Sequence, residues 1–438
     1  MDIDTGSNAW ILISAALVLL MTPGLALFYG GLTRAKSVVN MMMKCLAALG
    51  IVTISWTLLG ASLAEGDGGM FFGDLSSGFG LRGVMDLSAD DAGVSDGAMS
   101  SFAMMFAIIT VALIAGAVAD RMKFSAWILF TIVWSILVYY PVAYWVWGDG
   151  FLAEWGVLDF AGGAAVHVNA GAAALALAVV VGRRIGWREK NGNFAPHNLP
   201  MVLLGTGLLW FGWFGFNAGS AFASNAIAGL AMLNTQVATA AAILAWLAVD
   251  RMRGVKPSII GACSGVIAGL VAITPAAGYV SPLGAIGVGA VAGAICPLAV
   301  GLKEKLGYDD SLDVVGLHMV AGFWGSIAVG LFAVKETEAG VNGLFYGGGA
   351  SLLGLQTAGT AIVAVYSFGV ALLIGLALKF TVGIRVSKEE ELAGIDSAEH
   401  GETSYVFPED LVRDKGVSTL ADSTESSDDS SSKEPAQV

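Results

Sequence analysis

The chain alternates long runs of uncharged, mostly apolar residues with short polar segments. A helix needs about 20 apolar residues to cross the hydrocarbon core of a bilayer. Residues 5–33, 45–64, 97–119, 124–148 and 160–182 each fit one such helix. Residues 191–249 and 257–302 run for 59 and 46 positions without a charge, so each predicts two helices. Their turns are expected near 223–225 and 278–282. Residues 314–334 predict one more. The last run, 339–378, opens with Gly347, Gly348 and Gly349, so its helix is expected only from about 356 to 380. The sum is eleven spans in an all-α polytopic membrane protein.

An odd count puts the termini on opposite sides, and Lys and Arg decide which is which. With the N-terminus outside, seventeen of the 22 Lys and Arg fall at inner loops or inner helix ends, Lys44 among them. Arg82 and Lys335 fall outside, and three lie in the distal tail. The expectation is N-out and C-in. The start, Met1-Asp2-Ile3-Asp4, lacks the basic n-region of a cleaved signal, so the first run should persist as a helix.

Eleven helices suggest two inverted five-helix repeats plus one, a common transporter plan. Repeat 1 would cover about 10–182 and repeat 2 about 199–334, within a membrane domain of 1–385. One echo links them: Asp159 precedes His167, and Asp313 precedes His318.

Composition sharpens this picture. The 438 residues are 56% hydrophobic and 13% charged, about half the charge of an average soluble domain. The net charge is −13, but −10 of it lies after Arg385, in a tail with 14 acids and 4 bases. No basic face exists to neutralise phosphates, so a nucleic-acid binder is excluded. Cys45, Cys263 and Cys296 lie in apolar runs without metal-ligand spacing and read as packing residues. No metal or cofactor is expected, and no enzyme.

Four His remain. His197, in a basic inner loop, and His400, in the tail, read as solvated. His167 and His318 sit among small and apolar residues inside spans, where an ionisable side chain marks function. Asp159 could cap its helix or hold a site that accepts a cation, and Asp313 reads as a cap. Phe102 and Phe106 share a helix face, and Trp210, Phe211, Trp213, Phe214 and Phe216 lead into Asn217-Ala218-Gly219-Ser220. Spacing alone makes these packing and interface-belt residues, with a cation–π site open.

At this point the residues resemble a family. Pro23-Gly24-Leu25-Ala26-Leu27-Phe28-Tyr29-Gly30-Gly31, Asp159-Phe160-Ala161-Gly162-Gly163…His167 and Trp213-Phe214-Gly215-Phe216-Asn217-Ala218-Gly219-Ser220 carry the likeness. So do Gly261-Ala262-Cys263-Ser264-Gly265, Asp313-Val314…His318, the run from Thr381 to Val386, and His400-Gly401-Glu402. The chain resembles the ammonium transporters of the Amt/Mep/Rh group, in their bacterial and archaeal Amt branch, from about Ile11 to Tyr405.

The resemblance implies that Trp147, Phe106 and Ser220 recruit ammonium at an outer site, with Asp159 beneath it. Phe106 and Phe216 would form the gate, and His167 and His318 the twin histidines of a narrow pore. It implies a homotrimer in the cell membrane, a possible PII-type signalling partner at the cytoplasmic face, and methylammonium as a surrogate substrate. An ammonium sensor acting through a cytoplasmic partner is the alternative. A metalloenzyme built on the His pair would need further ligands, which the chain does not place.

The tail, 386–438, divides in two. Its early part resembles the family's segment beneath the pores. Residues 418–438 are Ser/Asp/Glu-rich, with the composition of a disordered tail.

Overall fold

The computed structural model describes residues 2–90, 92–189 and 194–405. The distal tail reading, 418–438, lies outside them, as do Asp91 and Lys190. Among the described residues ten helices are long and apolar enough to cross a membrane: α1 Thr5–Leu32, α2 Val38–Glu65, α3 Asp96–Val118, α4 Phe124–Glu154, α5 Gly163–Val181, α6 Leu199–Gly219, α7 Ala226–Met252, α9 Pro282–Leu306, α10 Val315–Phe332 and α11 Ser351–Thr381. A shorter apolar helix, α8 Ile259–Ile273, lies between α7 and α9. Among the described residues no strand forms; only isolated bridges do, such as Met122 with Arg385.

Helix ends follow local chemistry. Asp4, Ser95, Asn198, Asn225, Ser258 and Ser281 each accept a backbone N–H at a helix start. Pro282 then occupies the first turn of α9, where its missing N–H costs nothing. The turns between α6 and α7 and between α8 and α9 fall where the uncharged runs place them.

Two boundaries differ. Helix α2 begins at Val38, not near 45, so Lys44 is carried inside the helix and is fully buried. The sequence pattern puts this charge at a helix end; in the fold the bundle encloses it, and the Trp127 indole donates to the Lys44 carbonyl at 2.9 Å. Helix α11 begins at Ser351 rather than 356, because Gly347 and Gly349 complete the turn in the left-handed region just before it.

Helices α1 and α6 meet closely, and small residues make this possible. A Cβ on Gly205 would stand 2.3 Å from the Phe28 backbone nitrogen, and one on Gly31 2.7 Å from the Asn198 carbonyl. Gly212 and Gly215 face Leu17 and Met21 in the same way. Helix α7 meets α9 at Gly289 and Gly293, against Ala238 and Ala242. The core, from Val18 and Tyr29 through Phe106 and Val138 to Phe216 and Leu270, runs through the middle of this bundle.

Below α1, α2 and α4 runs a strap of two short helices, α12 Lys388–Ala393 and α13 Ile395–His400. Its acids close helix starts. Asp396 accepts from Val39 and Asn40 at 3.0 and 2.8 Å, and Glu399 from Phe124 at 2.9 Å. Glu391 accepts from Ile185 at 2.7 Å and pairs with Arg385 at 2.6 Å.

Candidate functional site

Helices α5 and α10 both open with a π-helical turn, Gly163–Val168 and Val315–Met319, and each turn contains its histidine. Such turns carry one extra residue and recur at functional sites. Each must begin inside the bundle, where the free N–H groups of a helix start need acceptors. In α5 one carboxylate supplies them all. Asp159 accepts from Gly162, Gly163, Ala164 and Ala165 at 2.9, 2.6, 2.8 and 3.0 Å. Gly162 makes this possible with φ of 113°, and a Cβ there would stand 2.5 Å from Val166.

In α10 the capping acid is not Asp313. That residue has φ of 63°, and its carboxylate pairs with Lys303. The left-handed turn carries it away from the helix start. Asp310 caps instead, accepting from Val315 at 2.7 Å. Asp310 stands eight residues before His318, as Asp159 stands eight before His167. By its capping place and its distance from the histidine, Asp310 corresponds to Asp159, and that equal spacing is a signal present in the sequence.

The two turns bring the histidines together. Nδ1 of His167 lies 3.3 Å from Nδ1 of His318, and the rings are 5.4 Å apart at 29°. Both are buried. Nε2 of His167 has no hydrogen-bond partner in the protein. The Trp213 ring lies against His167 at 5.4 Å and 24°, held by its own N–H to Thr274 Oγ1 at 2.9 Å. Phe216 covers the same imidazole at 6.1 Å, and Phe106 stacks on Phe216 at 4.1 Å and 24°. The order Phe106, Phe216, His167, His318 is thus one continuous column of rings.

Above Phe106 opens a cavity of about 740 Å³. Phe106, Trp147, Asp159 and Ser220 all line it, with Phe102, Tyr279 and Phe222. Trp147 stands edge-on to Phe106 at 6.0 Å and 89°, and its indole donates to the Asp159 carbonyl at 2.8 Å. Ser220 Oγ donates to the Phe216 carbonyl at 2.9 Å, which leaves its lone pairs free to accept. Aromatic faces beside a hydroxyl acceptor suit a small cation. Glu65, Asp67, Asp96, Asp149 and Glu338 add negative charge to the wall.

The sequence matches the ammonium transporter family model over residues 9–405. The chain belongs to the ammonium transporter family. It is 52% identical to an ammonium transporter of Mycobacterium tuberculosis over 92% of this chain and 91% of that one. It is 48% identical to one of Aquifex aeolicus, over 92% and 94%. Among solved structures, a Candida albicans Mep2 variant superimposes with a TM-score of 0.83 at 38% identity, covering 89% of each chain. A structure described as a sensor Amt protein gives 0.83 at 30% identity, covering 90% of this chain and 98% of that one.

Three further residues shape the ring column and the cavity: Trp213 lies against His167, Thr274 accepts its indole N–H, and Tyr279 lines the outer cavity. The sequence pattern places Trp213 in a packing stripe and carries no signal for Thr274 or Tyr279. His197 and His400, read as solvated, instead join the strap to the bundle. His197 lies 2.9 Å from the Thr33 carbonyl and 2.7 Å from the Tyr405 hydroxyl. His400 lies 3.0 Å from the Asn40 amide nitrogen and packs edge-on against Phe124. On the strap face Arg184 is partnered inside the fold: it pairs with Asp309 at 2.9 Å and with Asp120 at 3.1 Å. Burial opposes ionisation of Asp120, but Arg34 and Arg184 beside it hold its carboxyl below the usual range.

Proposed function

We propose that the protein recruits ammonium in the outer cavity at Phe106, Trp147 and Ser220, with Asp159 beneath. Ammonium loses a proton there, and ammonia passes the Phe106–Phe216 gate to the pair His167 and His318. The observation that supports this best is the ring column itself, which connects a cation-suited cavity to two touching imidazoles through an apolar constriction.

The physics favours passage without charge. Ammonium and potassium are alike in size and charge, so an open cation pore would pass both. Moving a bare ion through an apolar pore costs tens of kcal/mol by a Born estimate. Ammonium avoids that cost by shedding its proton, and potassium has none to shed. A neutral imidazole offers one N–H and one lone pair, so two in contact can accept a hydrogen bond from ammonia or pass a proton.

In this reading the chain makes eleven spans, N-out and C-in, in two inverted repeats, with the 386–438 tail cytoplasmic. It forms a homotrimer in the cell membrane, each subunit with its own pore, and the strap face meets a PII-type signalling protein. Methylammonium serves as a surrogate substrate. The test is an ammonium pulse on proteoliposomes, read as solid-supported-membrane current and internal pH. An ammonium-selective response in wild type and its loss of selectivity or flux in His167→Ala/His318→Ala support the pore. Identical responses from the two proteins overturn it. The sensor reading draws on the likeness to the sensor Amt protein and on the strap. It predicts ammonium binding without measurable flux in the same assay.

A further inference from the structure

The two capping acids hold matching places but not matching bonds. All the acceptor capacity of Asp159 is directed at four N–H groups. At Asp310, Oδ2 takes the Val315 N–H, while Oδ1 is buried and receives no hydrogen bond from the protein. A buried carboxylate oxygen without a donor is costly, and a proton relieves it. Next to Asp310 in the chain, Ser311, Leu312 and Asp313 line a second cavity, of about 820 Å³, on the strap face. Lys303, Arg184 and Arg188 line it too.

We propose that Asp310 is the proton acceptor at the strap-side end of the pore, taking the proton that ammonium releases and passing it to the strap-side cavity. This rests on the deprotonation reading above. In the step, an N–H bond of ammonium breaks at the outer site, giving ammonia and a proton. The proton, carried through the histidine pair, forms an O–H bond at Asp310 Oδ1. That bond then breaks to water in the cavity, and the carboxylate is restored.

The surroundings suit this cycle. Burial raises the Asp310 pKa to about 6; Asp313 adds to the rise, and Lys303 with the Val315 and Val314 N–H groups opposes it. A group poised there gives up its proton readily near neutral pH. The titratable groups facing it are Lys303 from α9, Asp313 and Tyr308 from the adjoining loop, and Tyr29 from α1. The Lys303 ammonium donates to the Asp310 carbonyl at 3.0 Å and to the Asp313 carboxylate, so it is fixed beside the acid.

The experiment uses the full chain in proteoliposomes, with ammonium pulses at constant external pH and varied internal pH. Uptake, current and luminal pH are read together. Asp310 accepts a proton only as the carboxylate. Current should therefore fall as internal pH drops through about 6, approaching tenfold per unit below it, the limit for one titrating group. Asp310→Asn should lower the current at neutral internal pH and abolish this dependence, while ammonium stays preferred over potassium. Lys303→Gln removes a charge that favours the carboxylate, so its midpoint should move to higher internal pH. A wild-type current flat in internal pH, or an Asp310→Asn protein with the wild-type profile, overturns the proposal. So does ammonium uptake without current and with luminal alkalinisation, since the proton then never crosses. In each of those cases the ammonium-selective, histidine-dependent uptake would stand. Equal passage of potassium would instead remove the deprotonation reading itself.

Discussion

Asp159 ties the start of α5 to the wall of the outer cavity, so one side chain sets both the helix and the site. Its carboxylate receives four N–H groups, and its carbonyl receives the Trp147 indole. Asp159→Asn keeps the size but has one acceptor oxygen instead of two, leaving buried N–H groups unpaired. It should lower stability by about 3 kcal/mol, seen as a lower melting temperature in detergent, together with loss of methylammonium uptake. Trp213→Phe tests a subtler point. Phenylalanine keeps a ring beside His167 but cannot donate to Thr274. Uptake should fall while the protein remains folded, and a Thr274→Val variant should fall in the same proportion, because both lose one hydrogen bond that orients the same ring.

Helices meet here by omission of side chains and are closed by borrowed acids. The α1–α6 contact has no room at Gly205, where a Cβ would clash with backbone rather than a movable side chain. Gly205→Val should cost about 2 kcal/mol or more, measured as reduced folded yield and a lower melting temperature. The strap works by the opposite device, carrying Asp396 and Glu399 to helix starts that have no cap of their own. Asp396→Ala should cost about 1 kcal/mol and should expose the strap to limited proteolysis. Truncation after Asp414 should leave uptake intact, whereas truncation after Arg385 should alter it by removing these caps along with α12 and α13. Equal uptake from the two truncated proteins would remove any role for the strap.

For the molecule as a whole, charge has three separate homes. The tail holds most of the −13, Arg184 on the strap face is neutralised by Asp120 and Asp309, and the outer cavity collects acids. That outer field attracts potassium as well as ammonium, so it cannot supply selectivity. Potassium should raise the apparent KM for methylammonium without lowering the maximal rate, and should itself not be taken up. A fall in maximal rate would place competition inside the pore. The trimer and the topology are open to direct measurement: mass by light scattering in detergent, and a reporter fused after Val438, expected on the cytoplasmic side.

The sequence determined where the apolar helices lie, because apolar length is a local property that a bilayer reads directly. It also singled out His167 and His318, since a titratable group in an apolar run is visible without coordinates. The long strings around Asp159 and Phe216 were enough to point to the family. Charge, however, was a poor guide to helix ends: Lys44 is tolerated inside the fold, enclosed by neighbours distant in the chain. Only the tertiary structure decided that Asp310, not Asp313, caps α10, because a left-handed backbone angle turns one acid outward and the other inward. It alone placed Trp213 on His167 and His400 under α2. Those contacts join residues far apart in sequence, and no local pattern fixes where they meet.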